Sequence, residues 1–163
     1  MLMPYMVQRW YDIKLPTTFV FPTVLFIYAT LFLGEVGGFY DRIWWWDMVL
    51  HGVSAVGFGL IGFTILYMLY RGGKLDASPW LVGVFSFAFA VAIGAVWEIF
   101  EFGMDQMFGF NMQKSGLRDT MWDLIIDTCG ALVVATAGFI HLKFNRPNWL
   151  TAPAEQFTDE VSS

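Results

Sequence analysis

The chain has 163 residues, a length typical of one domain, and 57% of them are hydrophobic while only 14% are charged. Ordinary soluble domains carry about 25% charged residues, so this composition excludes most soluble classes. A net charge of −5 argues against a nucleic-acid partner, and the single cysteine excludes a disulfide framework. The composition predicts a small all-α, polytopic membrane protein whose immediate partners are membrane lipids.

Four apolar stretches are long enough to cross a bilayer, which takes about 20 residues per helix. They run from about Thr17 to Gly34, from Asp47 to Tyr70, from Pro79 to Asp105 and from Asp119 to Phe144. We expect them to form a four-transmembrane-helix bundle over residues 17–146. Residues 1–16 are predicted to be an interfacial segment, and the polar tail over residues 147–163 is predicted to be disordered.

The positive residues predict the orientation of this bundle, because cytoplasmic loops are enriched in Lys and Arg. One side holds Arg9, Lys14, Arg71, Lys74, Lys143 and Arg146. The other side holds Arg42, Lys114 and Arg118. Both termini are therefore predicted to face the cytoplasm, with residues 35–46 and 106–118 on the periplasmic side.

Two segments repeat the pattern R-x-x-x-W-D, 76 positions apart, at residues 42–47 and 118–123. Small residues follow each copy after one helical turn. The repetition suggests two tandem helical hairpins related by an axis along the membrane normal. The alternative is that Trp-Asp is a common way to begin a span, with Trp at the interface and Asp as the helix cap.

Ionisable side chains are concentrated in the predicted periplasmic halves of spans two, three and four. Within each span they are spaced so that they lie along one helix face. They are Asp47 and His51 at the start of span two, Glu98, Glu101 and Asp105 at the end of span three, and Asp119, Asp123 and Asp127 at the start of span four. The sequence therefore predicts that three helices direct carboxylates into one outer cavity.

The charge of this set predicts a cation site. An acidic side chain in mid-membrane costs about 2.5–3.5 kcal/mol, so the deepest ones need a partner, a proton or water. A divalent ion would supply the missing positive charge. The candidate ligands are Asp47, His51, Glu98, Glu101, Asp123 and Asp127. Oxygen ligands suit Mg²⁺, Mn²⁺ or Ca²⁺, while the single imidazole leaves Zn²⁺ or Fe²⁺ open.

Structural interpretations of the same residues stay open. Asp47 and Asp119 could be helix caps, and His51 could be a core histidine bonded to Asp47. Asp105 could be a solvated helix end. The four deepest carboxylates could form a protonated network that specifies packing without chemistry. Small residues predict close helix contacts at Gly52, Ala55, Gly57, Gly59, Gly130 and Ala131.

Three motifs together resemble a known family: W-D-x-x-x-H (46–51), W-E-x-x-E (97–101) and S-G-x-x-D-T-M-x-D-x-x-x-D-x-x-G-A (115–131). They are similar to the YjdF-like bacterial inner-membrane proteins, a family of unknown function, and more distantly to VanZ-like proteins linked to glycopeptide resistance. The VanZ-like pattern is matched at Asp47, His51, Glu98, Arg118 and Asp123. Asp127 and Glu101 depart from it, because that pattern carries Asn and more often Gln there. The resemblance implies a helical bundle in the bacterial inner membrane and no established reaction.

Two classes of function are compatible with these features. In the first, the protein acts on a lipid-linked or envelope substrate, with Glu98, Asp123 and His51 in acid–base chemistry. Arg118 would then bind an anionic head group. In the second, the protein is a non-catalytic accessory or assembly subunit of a larger membrane complex. Ion-coupled transport ranks last, because the predicted cytoplasmic halves carry no comparable acids.

Overall fold

A computed structural model of the chain describes residues 17–162, and the regular structure within that range is entirely helical. The α-helices in chain order are α1 (Thr17–Ile27), α2 (Phe39–Arg42), α3 (Trp46–Arg71), α4 (Pro79–Phe108), α5 (Leu117–Phe144) and α6 (Ala152–Ser162). A π-helical segment, Tyr28–Val36, continues α1. The interfacial segment predicted for residues 1–16 lies outside the described residues.

Four helical stretches are long and apolar enough to cross a membrane, so the prediction of an all-α polytopic bundle is confirmed. Span one comprises Phe19–Val36, and spans two, three and four are α3, α4 and α5. Both α4 and α5 extend beyond their predicted ends. At ~1.5 Å per residue, Glu98 and Asp127 each lie about 15 Å from the nearer helix end.

Local sequence signals fix both ends of α4. The hydroxyl of Ser78 accepts a hydrogen bond from the backbone N–H of Leu81, and Pro79 occupies the first helical position. Proline is favoured there because its missing N–H needs no partner. Gly109 ends the helix in the left-handed conformation with φ of 70°, which glycine adopts without strain. The two ends therefore determine the depth at which Glu98 and Glu101 lie in the bundle.

Spans two and four pack closely through small residues. A Cβ on Gly130 would lie 2.9 Å from Ala55 Cβ and 3.0 Å from the carbonyl oxygen of Gly52. Further along both helices, Gly59 contacts Val134 and Gly138 contacts Phe63. Because the partners advance in the same direction on both helices, α3 and α5 run parallel.

Small residues elsewhere in these helices vary in their contacts. Ala55 and Ala131 are buried, as the prediction of close helix contacts requires. Gly57 was wrongly included in that prediction, since a Cβ there would meet nothing within 4 Å. It is exposed because it lies on the outer side of α3, away from α5.

Span one is attached far more loosely than span three. Span three contacts both neighbours closely, for example where Gly83 meets the carbonyl oxygen of Ala135 at a Cβ distance of 3.2 Å. In span one only 6% of the most apolar stretch is buried, compared with 22% in span three and 44% in span two. Near its two ends, Gly34 packs against the ring of Tyr40, and Phe19 packs against Phe157. Space therefore remains between span one and the three-helix unit of α3, α4 and α5.

The tail differs from the predicted disorder, because it contains helix α6, which packs against α3. Ala154 is buried in the same apolar cluster as Phe63 and Tyr67. Asn148 holds the preceding turn by donating from its amide to the carbonyl oxygen of Ala137 at 3.0 Å. The low average hydrophobicity of the tail concealed this one apolar helix face.

Candidate metal centre and the adjoining cavity

His51 lies at the centre of the end of the bundle that carries the carboxylates, called here the acidic end. Its Nδ1 is 3.4 Å from Oδ2 of Asp127 on α5. Its Nε2 is 3.7 Å from Oε1 of Glu98 on α4 and 3.9 Å from Oδ1 of Asp47, one turn earlier on α3. The three helices therefore converge on one imidazole, which is only 6% exposed.

A fourth carboxylate, that of Asp123, completes what we call the His51 cluster: Asp47, His51, Glu98, Asp123 and Asp127. Asp47, His51 and Asp123 each offer one ligand atom, and these atoms lie within 4.8 Å of one another. Because metal–ligand bonds are about 2.0–2.2 Å long, two ligands of one ion lie at most about 4.4 Å apart, which is close to this spacing. This group of Asp and His residues could therefore hold a metal ion.

Two buried carboxylates of the cluster have oxygens that make no hydrogen bond of ordinary length in the described part of the chain. Glu98 is 3% exposed, and neither of its carboxylate oxygens makes a hydrogen bond of ordinary length to the described residues, although the Thr120 hydroxyl and the Gln113 amide lie nearby as weaker donors. In Asp127, Oδ2 faces His51 while Oδ1 has no hydrogen-bond partner. Burying a carboxylate is costly unless a partner compensates its charge. These oxygens therefore point to a cation or to protons at this position.

The positive side chains nearest the acidic end lie at its margin. Lys114 Nζ donates to Oδ1 of Asp41 at 2.8 Å, and this hydrogen bond raises the pKa of Lys114 above its ordinary value. Arg118 lies beside a separate cavity of about 430 Å³, which Asp119 and Trp122 also line. The structure thus does not bring Arg118 to the His51 cluster, and its predicted head-group role stays a prediction.

The loop from α4 to α5 is held in place by two of the other acidic residues. Asp105 accepts hydrogen bonds from the backbone N–H groups of Met112 at 2.7 Å and Gln113 at 2.9 Å. Asp119 accepts one from the backbone of Lys114 at 2.9 Å. These contacts favour the structural interpretation of Asp105 and Asp119, whose carboxylates order the loop beside the cluster.

A cavity of about 1020 Å³ adjoins the His51 cluster, between span one and spans two and three. The polar side chains along it include Glu35, Tyr40, Asp47, His51, Glu101 and Lys114. The apolar ones include Phe26, Leu31, Phe58, Ala90, Ile93 and Phe100. Its volume is at the upper end of the range for small-molecule pockets. The buried polar cluster is therefore continuous with an apolar space beside span one.

Glu101 is the sixth residue of the predicted ligand set, and its environment differs from that of the other five. It is buried on α4 and accepts a hydrogen bond from the indole N–H of Trp97 at 2.9 Å. Both side chains line the cavity. Glu101 therefore belongs to the cavity wall next to the cluster, with a partner of its own.

Sequence reasoning missed two features of the site. A Cβ on Gly94 would lie 2.9 Å from Cγ of Asp127 and closer still to Oδ2, so a glycine is needed for that carboxylate to reach His51. Its position one turn before Glu98 was the available signal. The other feature is Tyr40, where burial raises the pKa of the phenol above its ordinary value. The phenol therefore stays protonated and can donate a hydrogen bond into the cavity.

Residues 1–144 match the family described as "Predicted membrane protein (DUF2238)". The chain belongs to this family. An uncharacterized protein of Thermotoga maritima is 34% identical over 122 residues, which cover 69% of this chain and 59% of the relative. The chain thus spans less than two thirds of that relative's length. No solved structure matches the chain.

These comparisons identify a membrane protein of a family whose function is unknown. They agree with the four apolar helices and add no reaction, ligand or partner. The finer resemblance to YjdF-like and VanZ-like proteins stays a prediction from the motifs.

Proposed function

We propose that this DUF2238 protein binds one divalent metal ion in the His51 cluster and acts there on a lipid-linked or envelope substrate. The observation that carries the proposal is the group Asp47, His51 and Asp123, whose ligand atoms lie within 4.8 Å of one another beside the buried carboxylate of Glu98, 3.7 Å from the imidazole. In keeping with the distribution of Lys and Arg, the acidic end faces the periplasm of a bacterial inner membrane.

In this proposal, Asp47, His51 and Asp123 would hold the ion. Nε2 would be the imidazole ligand, since it lies 3.9 Å from Oδ1 of Asp47. Asp127 lies on the opposite edge of the imidazole, with Oδ2 at 3.4 Å from Nδ1. A carboxylate in that position fixes the histidine tautomer and leaves Nε2 free for the metal. Asp127 is therefore a positioning residue for His51.

Two carboxylates and one imidazole suit Mn²⁺, Zn²⁺ or Fe²⁺ better than Ca²⁺, which takes six to eight oxygen ligands. When bound, such an ion would supply polarisation of a substrate oxygen and would lower the pKa of a bound water. Glu98 lies 3.7 Å from Nε2 of His51, and its carboxylate oxygens make no hydrogen bond of ordinary length to the described residues, with the Thr120 hydroxyl and the Gln113 amide nearby as weaker donors. It is therefore placed to exchange a proton with water or substrate as a general acid–base residue.

The test is elemental analysis of the protein purified in detergent, with Asp123→Asn beside Asp119→Asn. Both residues lie on α5, one turn apart, but only Asp123 offers an atom to the candidate ligand group. We expect a near-stoichiometric divalent metal in the wild type and in Asp119→Asn, and its loss in Asp123→Asn. Absence of metal from a folded wild type, even after incubation with each candidate ion, would overturn the proposal. That result would favour the alternative that the clustered carboxylates are protonated and only specify helix packing, in an accessory subunit of a larger complex.

A further inference from the structure

We propose that the cavity beside the His51 cluster binds one long chain of a lipid whose phosphate head group reaches the metal ion and Lys114. This inference rests on the proposed metal centre and names the substrate class of the same site. It differs from the prediction for Arg118, which lies beside the other cavity.

The lining of the cavity extends along the bundle axis on each of its walls. On α3, its lining extends from His51 to Phe58, which at ~1.5 Å per residue is about 10 Å. On span one, it extends from Glu35 back to Phe26 over a similar length. Ile93 of α4 lines the same cavity. A flexible hydrocarbon chain fits such a space, because its apolar surface is removed from water without any need for hydrogen bonds.

Access to this space from the bilayer follows from the packing of span one. Only 6% of its most apolar stretch is buried, and it forms one wall of the cavity. Elements with few buried contacts open at low free-energy cost. A lipid can therefore reach the cluster from the membrane while the three-helix unit stays intact.

The charges at the polar end of the cavity favour a lipid with a phosphate head group. The polar end of the cavity carries acids, so an anion is accepted there only when a cation bridges the two. Mg²⁺ held by one or two carboxylates commonly completes its coordination with substrate phosphates, and Mn²⁺ accepts the same kind of oxygen ligands. Lys114 lines the same end of the cavity and is held by Asp41 at 2.8 Å, which places a second cation at the rim. A neutral or cationic head group would gain neither interaction.

The experiment measures binding of hexadecyl phosphate to the metal-loaded protein in detergent by native mass spectrometry. Hexadecanol and hexadecyltrimethylammonium serve as head-group controls with the same chain. Ile93→Trp fills the apolar part of the cavity, and Ile99→Trp is its matched control, since Ile99 lies on the same helix, is 70% exposed and does not line the cavity. Metal content is measured on the same samples.

We expect the wild type and Ile99→Trp to bind hexadecyl phosphate in preference to both controls. Ile93→Trp should bind it at least about tenfold more weakly, because room for two or more methylene groups is lost. Lys114→Gln should reduce the preference for the phosphate over hexadecanol several-fold.

Equal binding to Ile93→Trp and Ile99→Trp would overturn the inference, as would equal binding of all three probes to the wild type. Metal without bound phosphate probe would also overturn it while leaving the metal centre intact. Phosphate probe bound in the cavity of a metal-free protein would instead overturn the metal centre and the bridging role given to it. The two proposals therefore fail in distinguishable ways.

Discussion

The two histidines of the chain are both buried, at opposite ends of the bundle, and their surroundings differ in kind. His51 has four carboxylates within 4.8 Å, contributed by three helices. His141 is 2% exposed and packs against the rings of Phe63 and Tyr67, with centroids 5.7 Å and 5.2 Å away. One imidazole is surrounded by charge and the other by aromatic surface.

The comparison shows that burial of an ionisable side chain does not by itself mark a functional site. His141 is a core residue, whose ring fills space between α3 and α5, although its buried Nδ1 has no hydrogen-bond partner among the described residues. The charged residues at its end of the bundle stay on the surface, where Arg71 pairs with Asp159 at 3.2 Å. The acidic end differs because several carboxylates from three helices lie close together and are buried. Such an arrangement is unfavourable unless a ligand or protons compensate it.

The largest expected effect separates the two histidines directly. His51→Leu should weaken Mn²⁺ binding more than about 100-fold, because loss of a ligand exceeds the 10–100-fold cost typical of changes to the residues that orient ligands. His141→Leu should leave the affinity unchanged. Titration of Mn²⁺ followed by electron paramagnetic resonance, on variants that stay monodisperse in detergent, measures both. Equal losses in the two variants would contradict the distinction.

A smaller loss of metal affinity is expected when Gly94, an uncharged neighbour of Asp127, is replaced. Gly94→Ala should displace the Asp127 carboxylate from His51 and weaken metal binding about 10–100-fold. Gly103→Ala is the control on the same helix, since a Cβ there meets nothing within 4 Å. The same titration compares them. If both variants bind the ion like the wild type, Asp127 does not position His51 through this contact.

The core role given to His141 predicts tolerance of an apolar replacement of similar size. His141→Leu should change the free energy of unfolding by less than about 1.5 kcal/mol, as volume-conserving core substitutions do. Thermal or detergent-induced unfolding in micelles measures it. A much greater loss of stability would show that the ring nitrogens make polar interactions the fold depends on.

The smallest effect is expected on the surface at the same end. Arg71→Gln removes the ion pair with Asp159, whose side chains are 47% and 60% exposed. Solvent screening limits such pairs to about 0–1 kcal/mol, so α6 should stay attached to α3. Protease resistance of the C-terminal segment reports on this. Release of the segment would show that the pair, and not the burial of Ala154, holds it.

The sequence predicted the spans and the composition of the acidic end well, because both depend on local periodicity. Hydropathy located four helices, and the 3.6-residue period placed Glu98 and Asp127 on faces that the structure directs toward His51. The repeat at 76 residues also has a structural counterpart. His51 and Asp127 occupy equivalent positions in the two copies, and they contact each other across the parallel pair α3 and α5.

Features that depend on packing between distant segments were not predictable in this way. Span one carries no charge between residues 17 and 34, so nothing in its sequence shows that it would pack loosely and border a cavity. The direction of Arg118 depends on the rotation of the start of α5, which the span boundaries did not define. Gly94 resembles any other small residue of a membrane helix until the position of Asp127 is known.

The loose attachment of span one has a consequence for selectivity. A wall that packs mainly at its ends, through Gly34 with Tyr40 and Phe19 with Phe157, does not fix the length of the space beside it. The acidic end, by contrast, is built on closely packed glycine contacts and cannot adjust by much. A lipid bound here would therefore be discriminated strictly by its head group and only weakly by the number of carbons in its chain, so membranes of different acyl composition would supply equally good ligands.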